Sequence, residues 1–186
     1  MSIQERVLGV NHPSTANTYE GIACVYYSLG ELNKSLKLHQ KALNLYEKVL
    51  GISHPDTANI LNNIGVILYD LGQFDKALEY HTKALSIFES VLGRDSADTA
   101  QAYYNIAIHY QEHGDLTKAS EWYEKALPIF TGVLGNQHPL THTIQRNLEK
   151  LQQQVPSEQI VDSKKLLEPA EQTSRIIKNT PDSEIT

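Results

Sequence analysis

The 186-residue chain has one cysteine, Cys24, so no disulfide can form within it. Its opening, MSIQERVLGV, lacks the apolar core of a secretory leader. The longest apolar runs, such as IACVYY, fall far short of the roughly 20 residues that a spanning helix needs. Basic charge is scarce too. A formal net charge of -6 leaves no footprint for neutralising phosphates, which argues against nucleic acid and against an anionic membrane as partners. There is no glycine-rich phosphate loop and no serine set in a strand-to-helix elbow. These absences lead to the expectation of a cytoplasmic protein that needs no cofactor or metal and whose partners are proteins. With 40% apolar and 20% charged residues, the chain can still bury a core.

What the chain does contain is one phrase written four times: VLGVNHPSTA at 7–16, VLGISHPDTA at 49–58, VLGRDSADTA at 91–100 and VLGNQHPLTH at 133–142. Leu8, Leu50, Leu92 and Leu134 stand 42 residues apart, a repeat of fixed period. A second glycine in each period, Gly30, Gly72 or Gly114, separates two stretches of helical periodicity, so each period is a helix pair. In the second unit Ile60, Leu61, Ile64, Ile67, Leu68 and Leu71 mark a helix over 56–71, and Ala77, Leu78, Ala84, Leu85, Phe88 and Leu92 mark one from about Asp75 to Leu92. Small residues recur where the pair must approach closely: Ala23, Gly65 and Ala107 in the first helices, Ser35, Ala77 and Ala119 in the second. The repeated phrase is then the connector. Its leucine is expected to plug the core, its glycine to stop the helix, and its Asp and Thr to start the next one.

The boundaries follow from the period. Residues 1–10 match only the close of a second helix, which suggests that the repeats begin further upstream. Three units occupy 11–51, 52–93 and 94–135, and 136–154 reads as a capping helix that keeps Ile144, Leu148 and Leu151 inward. Residues 155–186, with no aromatic and no glycine, are expected to form a disordered or loosely attached tail.

The stretch LNNIGVILYDLGQFDKALEYHTKALSIFESVLGRDSADTA resembles the tetratricopeptide repeat, and the 42-residue period with LG..HP.TA is similar to its kinesin-light-chain variety, over about residues 1–154. The resemblance implies an all-α, right-handed solenoid of helix pairs that works as a non-enzymatic adaptor or scaffold. The ordinary period of this family is shorter by about two helical turns, which FESVLG and its equivalents add to the second helix. Pro128 falls where the shorter version would stop, and should kink that helix.

In such a superhelix the first helices line a concave groove. Its expected residues are Asn17 and Glu20 in the first unit, Asn59, Asn62, Asn63, Val66 and Tyr69 in the second, Tyr104, Asn105 and Ile108 in the third, and Arg146, Asn147 and Lys150 in the cap. Asn63, Asn105 and Asn147 share one place in the period, and an asparagine ladder can grip the backbone of an extended peptide or merely bond neighbouring helices. Residues 14–29, 56–71 and 98–113 contain no lysine or arginine, so the groove is neutral to acidic until the cap. That departs from the basic clamps with which relatives hold carboxylate or acidic ligands. A protein or extended peptide is the expected partner; the alternative is that the repeats regulate a larger multidomain protein. The oligomeric state is left open.

One enzyme-like pattern competes. His109, Glu112 and His113 spell HYQEH, the spacing with which two histidines hold zinc beside a catalytic glutamate. The repeat explains the same helix without metal, leaving these as exposed polar residues. His39 and His81 align with Tyr123 and read as packed rings, and the histidines of the connectors, His12, His54 and His138, read as helix-end contacts.

Overall fold

The computed structural model describes residues 12–154. These form seven helices: α1 (Pro13–Ser28), α2 (Leu32–Val49), α3 (Pro55–Asp70), α4 (Phe74–Val91), α5 (Ala97–Glu112), α6 (Leu116–Leu134) and α7 (Pro139–Gln154). The helix boundaries read from the second unit hold to one residue at each end. The partial repeat at 1–10 and the tail at 155–186 lie outside the described residues.

The connectors start their helices in a way that differs from the expectation. The extended residue before proline is the N-cap, and it is the histidine ring that caps. Nδ1 of His12 accepts from the Ser14 amide at 3.1 Å, that of His54 from Asp56 at 3.1 Å, and that of His138 from Leu140 at 3.2 Å. Where the phrase lacks histidine, Ser96 replaces it by accepting from the Thr99 amide. The threonine does something else. Thr57 and Thr99 are buried and donate back to the carbonyls of Gly51 and Gly93, at 2.8 and 2.7 Å, tying each new helix to the end of the last. The connector leucine is also less of a plug than expected, since Leu92 and Leu134 are 38% and 39% exposed.

Within each unit the glycine turn is a Schellman close. At Gly72 (φ 72°) the amide bonds the Tyr69 carbonyl and the next amide, Gln73, reaches back to Leu68, a geometry that L residues with a Cβ resist. The two helices of each unit pack over a contact that is alike in all three units, and each second helix then packs on the first helix of the next unit. Ala23, Ala77, Ala107 and Ala119 are all fully buried in these seams. Gly65 shows why one position can carry no side chain: a Cβ there would lie 2.7 Å from the His81 ring.

His39, His81 and Tyr123 are confirmed as packed rings, each no more than 2% exposed. Helix α6 runs unbroken through Pro128. No helix among the described residues is long and apolar enough to cross a membrane.

Candidate functional site

First helices of neighbouring units touch one another, α3 against α5 directly and α1 against α3 through a hydrogen bond from Tyr27 to Asp70 (2.6 Å). The residues expected for a groove stand on these helices and on α7, and they are engaged to different degrees.

In α1, Asn17 Oδ1 and Glu20 Oε2 both face the Tyr46 hydroxyl of α2, at 2.5 and 3.2 Å, so one proton is shared between two acceptors. Burial raises the Glu20 carboxyl above its ordinary range, and the tyrosine bond only partly offsets this. In α3, Asn62 Oδ1 accepts from Asn105 Nδ2 at 2.9 Å and faces His81 Nδ1 at 3.1 Å, which sets the imidazole to donate from Nδ1. Asn105 Oδ1 in turn accepts from Gln101. Asn147 donates to the Tyr123 hydroxyl at 3.2 Å, and that hydroxyl donates to Gln111 at 2.9 Å. Two rungs of the asparagine ladder therefore bond neighbouring helices.

Asn63 is the exception. Its side chain makes no hydrogen bond to the described residues, and it lines a cavity of about 160 Å³ between α1 and α3 with Cys24, Tyr27, Val66 and Ile67. The His39 ring also borders this cavity, with Nδ1 turned back on the Ser35 carbonyl of its own helix (3.2 Å) and Nε2 buried without a partner. Burial lowers the pKa of His39, which keeps the ring neutral.

Asn59, Val66, Tyr104 and Ile108 are half-buried on the same face, while Arg146 and Lys150 are exposed at the cap. Tyr104 leans its ring toward Tyr123 and Phe130, with centroids 6.0 and 6.5 Å away, and burial raises its phenol. Tyr69 repeats the place of Tyr27, and Glu112 that of Asp70. The Tyr27 hydroxyl, bonded to Asp70, is pushed up to about 12 by that bond and by burial. The Tyr69 hydroxyl is buried beside Glu112 without reaching hydrogen-bond geometry, and burial first and Glu112 second push its phenol far above the usual range.

Sequence reasoning missed these cross-unit tyrosine–acid pairs. The signal was present, a tyrosine and an acid offset by the period plus one residue, 27 with 70 and 69 with 112.

In the HYQEH pattern Glu112 and His113 are exposed polar residues, as expected, but His109 is not. His109 is 5% exposed, not a surface residue, because it occupies the core place of Ile67 in the preceding unit. Its ring stacks on His113 with centroids 4.3 Å apart, and His113 Nδ1 is bonded to the His109 carbonyl at 2.7 Å. Among the described residues no group of three or more His, Cys, Asp or Glu side chains is gathered as a metal site would require. A larger cavity of about 530 Å³ lies away from the first-helix face, between the α4–α5 connector and α6. Of the charged groups that line it, Arg94 pairs with Glu89 at 3.8 Å and Lys125 lies over the Trp122 ring at 3.9 Å.

The model for the tetratricopeptide repeat matches residues 1–48, 25–90, 56–132 and 98–155, overlapping along most of the chain. The chain belongs to the tetratricopeptide repeat family. Among solved structures it is similar to BtubC (BKLC) from P. vanneervenii, with 22% identity and a TM-score of 0.68 over 94% of this chain and 70% of that one. It is equally similar to a kinesin-light-chain-type protein of Podosopora anserina with nearly identical TPR-like repeats, at 22% identity and a TM-score of 0.68, covering 88% of this chain and 82% of that one. The apo form of RapI shares 22% identity at a TM-score of 0.66, covering 76% of this chain and 49% of that one. At such identities the likeness establishes the fold alone. No curated protein gives a significant match. Tetratricopeptide repeats generally mediate protein–protein interaction, and this family is generally non-enzymatic.

Proposed function

We propose that the face formed by α1, α3, α5 and α7 binds an extended segment of a partner protein, in an adaptor or scaffold role without a chemical reaction. The observation that supports this most is the state of Asn63. An amide with both donor and acceptor unspent, beside a cavity the size of one side chain, suits a peptide backbone that lays one residue into the gap between α1 and α3. Val66 and Tyr27 supply apolar contact there, and Asn59 and Ile108 extend the track. The missing positive charge on α1, α3 and α5 makes neutral amide bonds and apolar contact the source of affinity, with Arg146 and Lys150 available to an acidic residue at the cap end.

A pull-down with the chain as bait, followed by titration of the captured partner, tests this. Asn63→Ala should weaken binding about 2- to 12-fold, as loss of one neutral hydrogen bond does, with little change between low and high salt. Equal binding by wild type and Asn63→Ala would remove this face from consideration and turn attention to the lysine-bearing second helices.

A further inference from the structure

The His39 ring, 2% exposed, is committed at one nitrogen and open at the other. Ser35 decides which. Its hydroxyl spends its hydrogen on the Ala23 carbonyl at 2.8 Å, so the oxygen that faces His39 Nδ1 at 3.3 Å has only lone pairs to offer. The Ser35 carbonyl, 3.2 Å from the same nitrogen, also only accepts. Burial keeps the ring neutral, with one hydrogen to place, and both oxygens draw that hydrogen to Nδ1. Nε2 is left as a bare acceptor, and no donor among the described residues reaches it. The later units do not repeat this. Ala77 and Ala119 hold the place of Ser35, while His81 and Tyr123, in the place of His39, are bonded to Asn62 and Gln111. A buried polar atom without a partner is the exception in folded chains.

The ring lines the cavity of about 160 Å³ between α1 and α3, and with Nδ1 turned back on α2 its Nε2 tip is the part that reaches farthest from that helix. We infer that this cavity selects a partner residue whose side chain donates a neutral hydrogen bond, a serine, threonine, asparagine or glutamine, with His39 Nε2 as the acceptor. The inference rests on the reading of the first-helix face as the binding groove. Asn63 lines the same cavity, so a hydroxyl or carboxamide that donates to Nε2 still has an oxygen to accept from the Asn63 amide. Other side chains fit worse. No charged residue among those described lines the cavity, so a carboxylate or an ammonium would lose its water there without a counter-ion. An aliphatic side chain would pack on Val66 and Ile67 but seal Nε2 in without a donor.

The test begins with the tautomer. Two-bond proton–nitrogen spectra of the full chain should show His39 protonated at Nδ1 and bare at Nε2; a protonated Nε2 overturns the inference. Binding is then read with short peptides selected from a random displayed library on the full chain, keeping those that Asn63→Ala weakens. Such a peptide should shift the Nε2 resonance and contain one hydroxyl or carboxamide residue whose apolar replacement, valine for threonine or leucine for asparagine, costs about 2- to 12-fold in affinity. Against His39→Phe the same replacement should cost nothing. That variant keeps a ring in a place where the third unit has Tyr123, and the Nε2 resonance of the wild-type chain gives a readout that does not depend on it. Asn63-dependent peptides that leave Nε2 unmoved, or that lose as much against His39→Phe as against wild type, overturn the inference and leave the groove standing. A library with no Asn63-dependent peptide overturns both.

Discussion

Asn63 and Asn105 occupy the same place in successive units, yet Asn105 is bonded on both sides and Asn63 on neither. The cause lies in their neighbours. Asn105 donates to Asn62, which stands 43 residues before it; the residue 43 before Asn63 is Glu20. Glu20 is held by the Tyr46 hydroxyl, and the places equivalent to Tyr46 in the later units are Phe88 and Phe130, which have no hydroxyl to offer. A single oxygen on α2 therefore separates a rung that staples two units from a rung left open. In a repeat protein the scaffold repeats and the deviations carry the individuality, since each unit meets only its neighbours.

Four experiments break or sharpen this contrast. The largest effect is expected from pH, because the bonded rung rests on a neutral His81. Burial, and then the charge of His109, hold its pKa at about 4 against an ordinary 6.5. The unfolded chain takes up the proton first, so stability is whole above pH 6.5 and falls as pH drops toward 4, by about 3 kcal/mol for this residue. His39 and His109 shift in the same direction. Urea melts across that window should show the decline, and His81→Phe should flatten much of it.

Gly65→Ala pushes a methyl to 2.7 Å from the same ring, which costs about 1–3 kcal/mol as overpacking does. Gly21→Ala, at the place in α1 equivalent to Asn63, meets nothing within 4 Å and should stabilise by about 0.5–1 kcal/mol. Thermal melts that move in the same direction for both would sink the packing assignment. Next, Asn105→Ala should cost about 1 kcal/mol by removing the cross-unit bond, whereas Asn63→Ala should stay within about 0.5 kcal/mol. The smallest change is Tyr46→Phe. It copies the later units, leaves the fold nearly as stable, and frees Glu20 to accept from Asn63, so partner binding at Asn63 should weaken although Tyr46 is not on the groove.

The period, the helix pairs and the small-residue seams were legible because they rest on patterns local to the chain: apolar spacing, glycine stops, alanines in register. The caps were half legible. His12, His54 and His138 recur with proline, but nothing in the spacing said that the ring and not the following Asp or Thr would take the amide. The burial of His109 was hidden by its polarity and given away only by its alignment with Ile67. The hydrogen-bonding state of the first-helix asparagines was not legible. Whether an asparagine is spent depends on the residue 43 places earlier and on a tyrosine from a third helix, a three-body arrangement that no single window of sequence contains.

The difference between the two rungs can be measured on the side-chain amides themselves, by the exchange of the Asn63 and Asn105 NH₂ protons with water in nitrogen-edited spectra. Asn105 should exchange slowly and Asn63 at close to the rate of an exposed amide, with Asn63 alone slowing in Tyr46→Phe. Equal protection of the two in the wild-type chain would contradict the open rung, and with it the reading of Asn63 as the place where a partner binds.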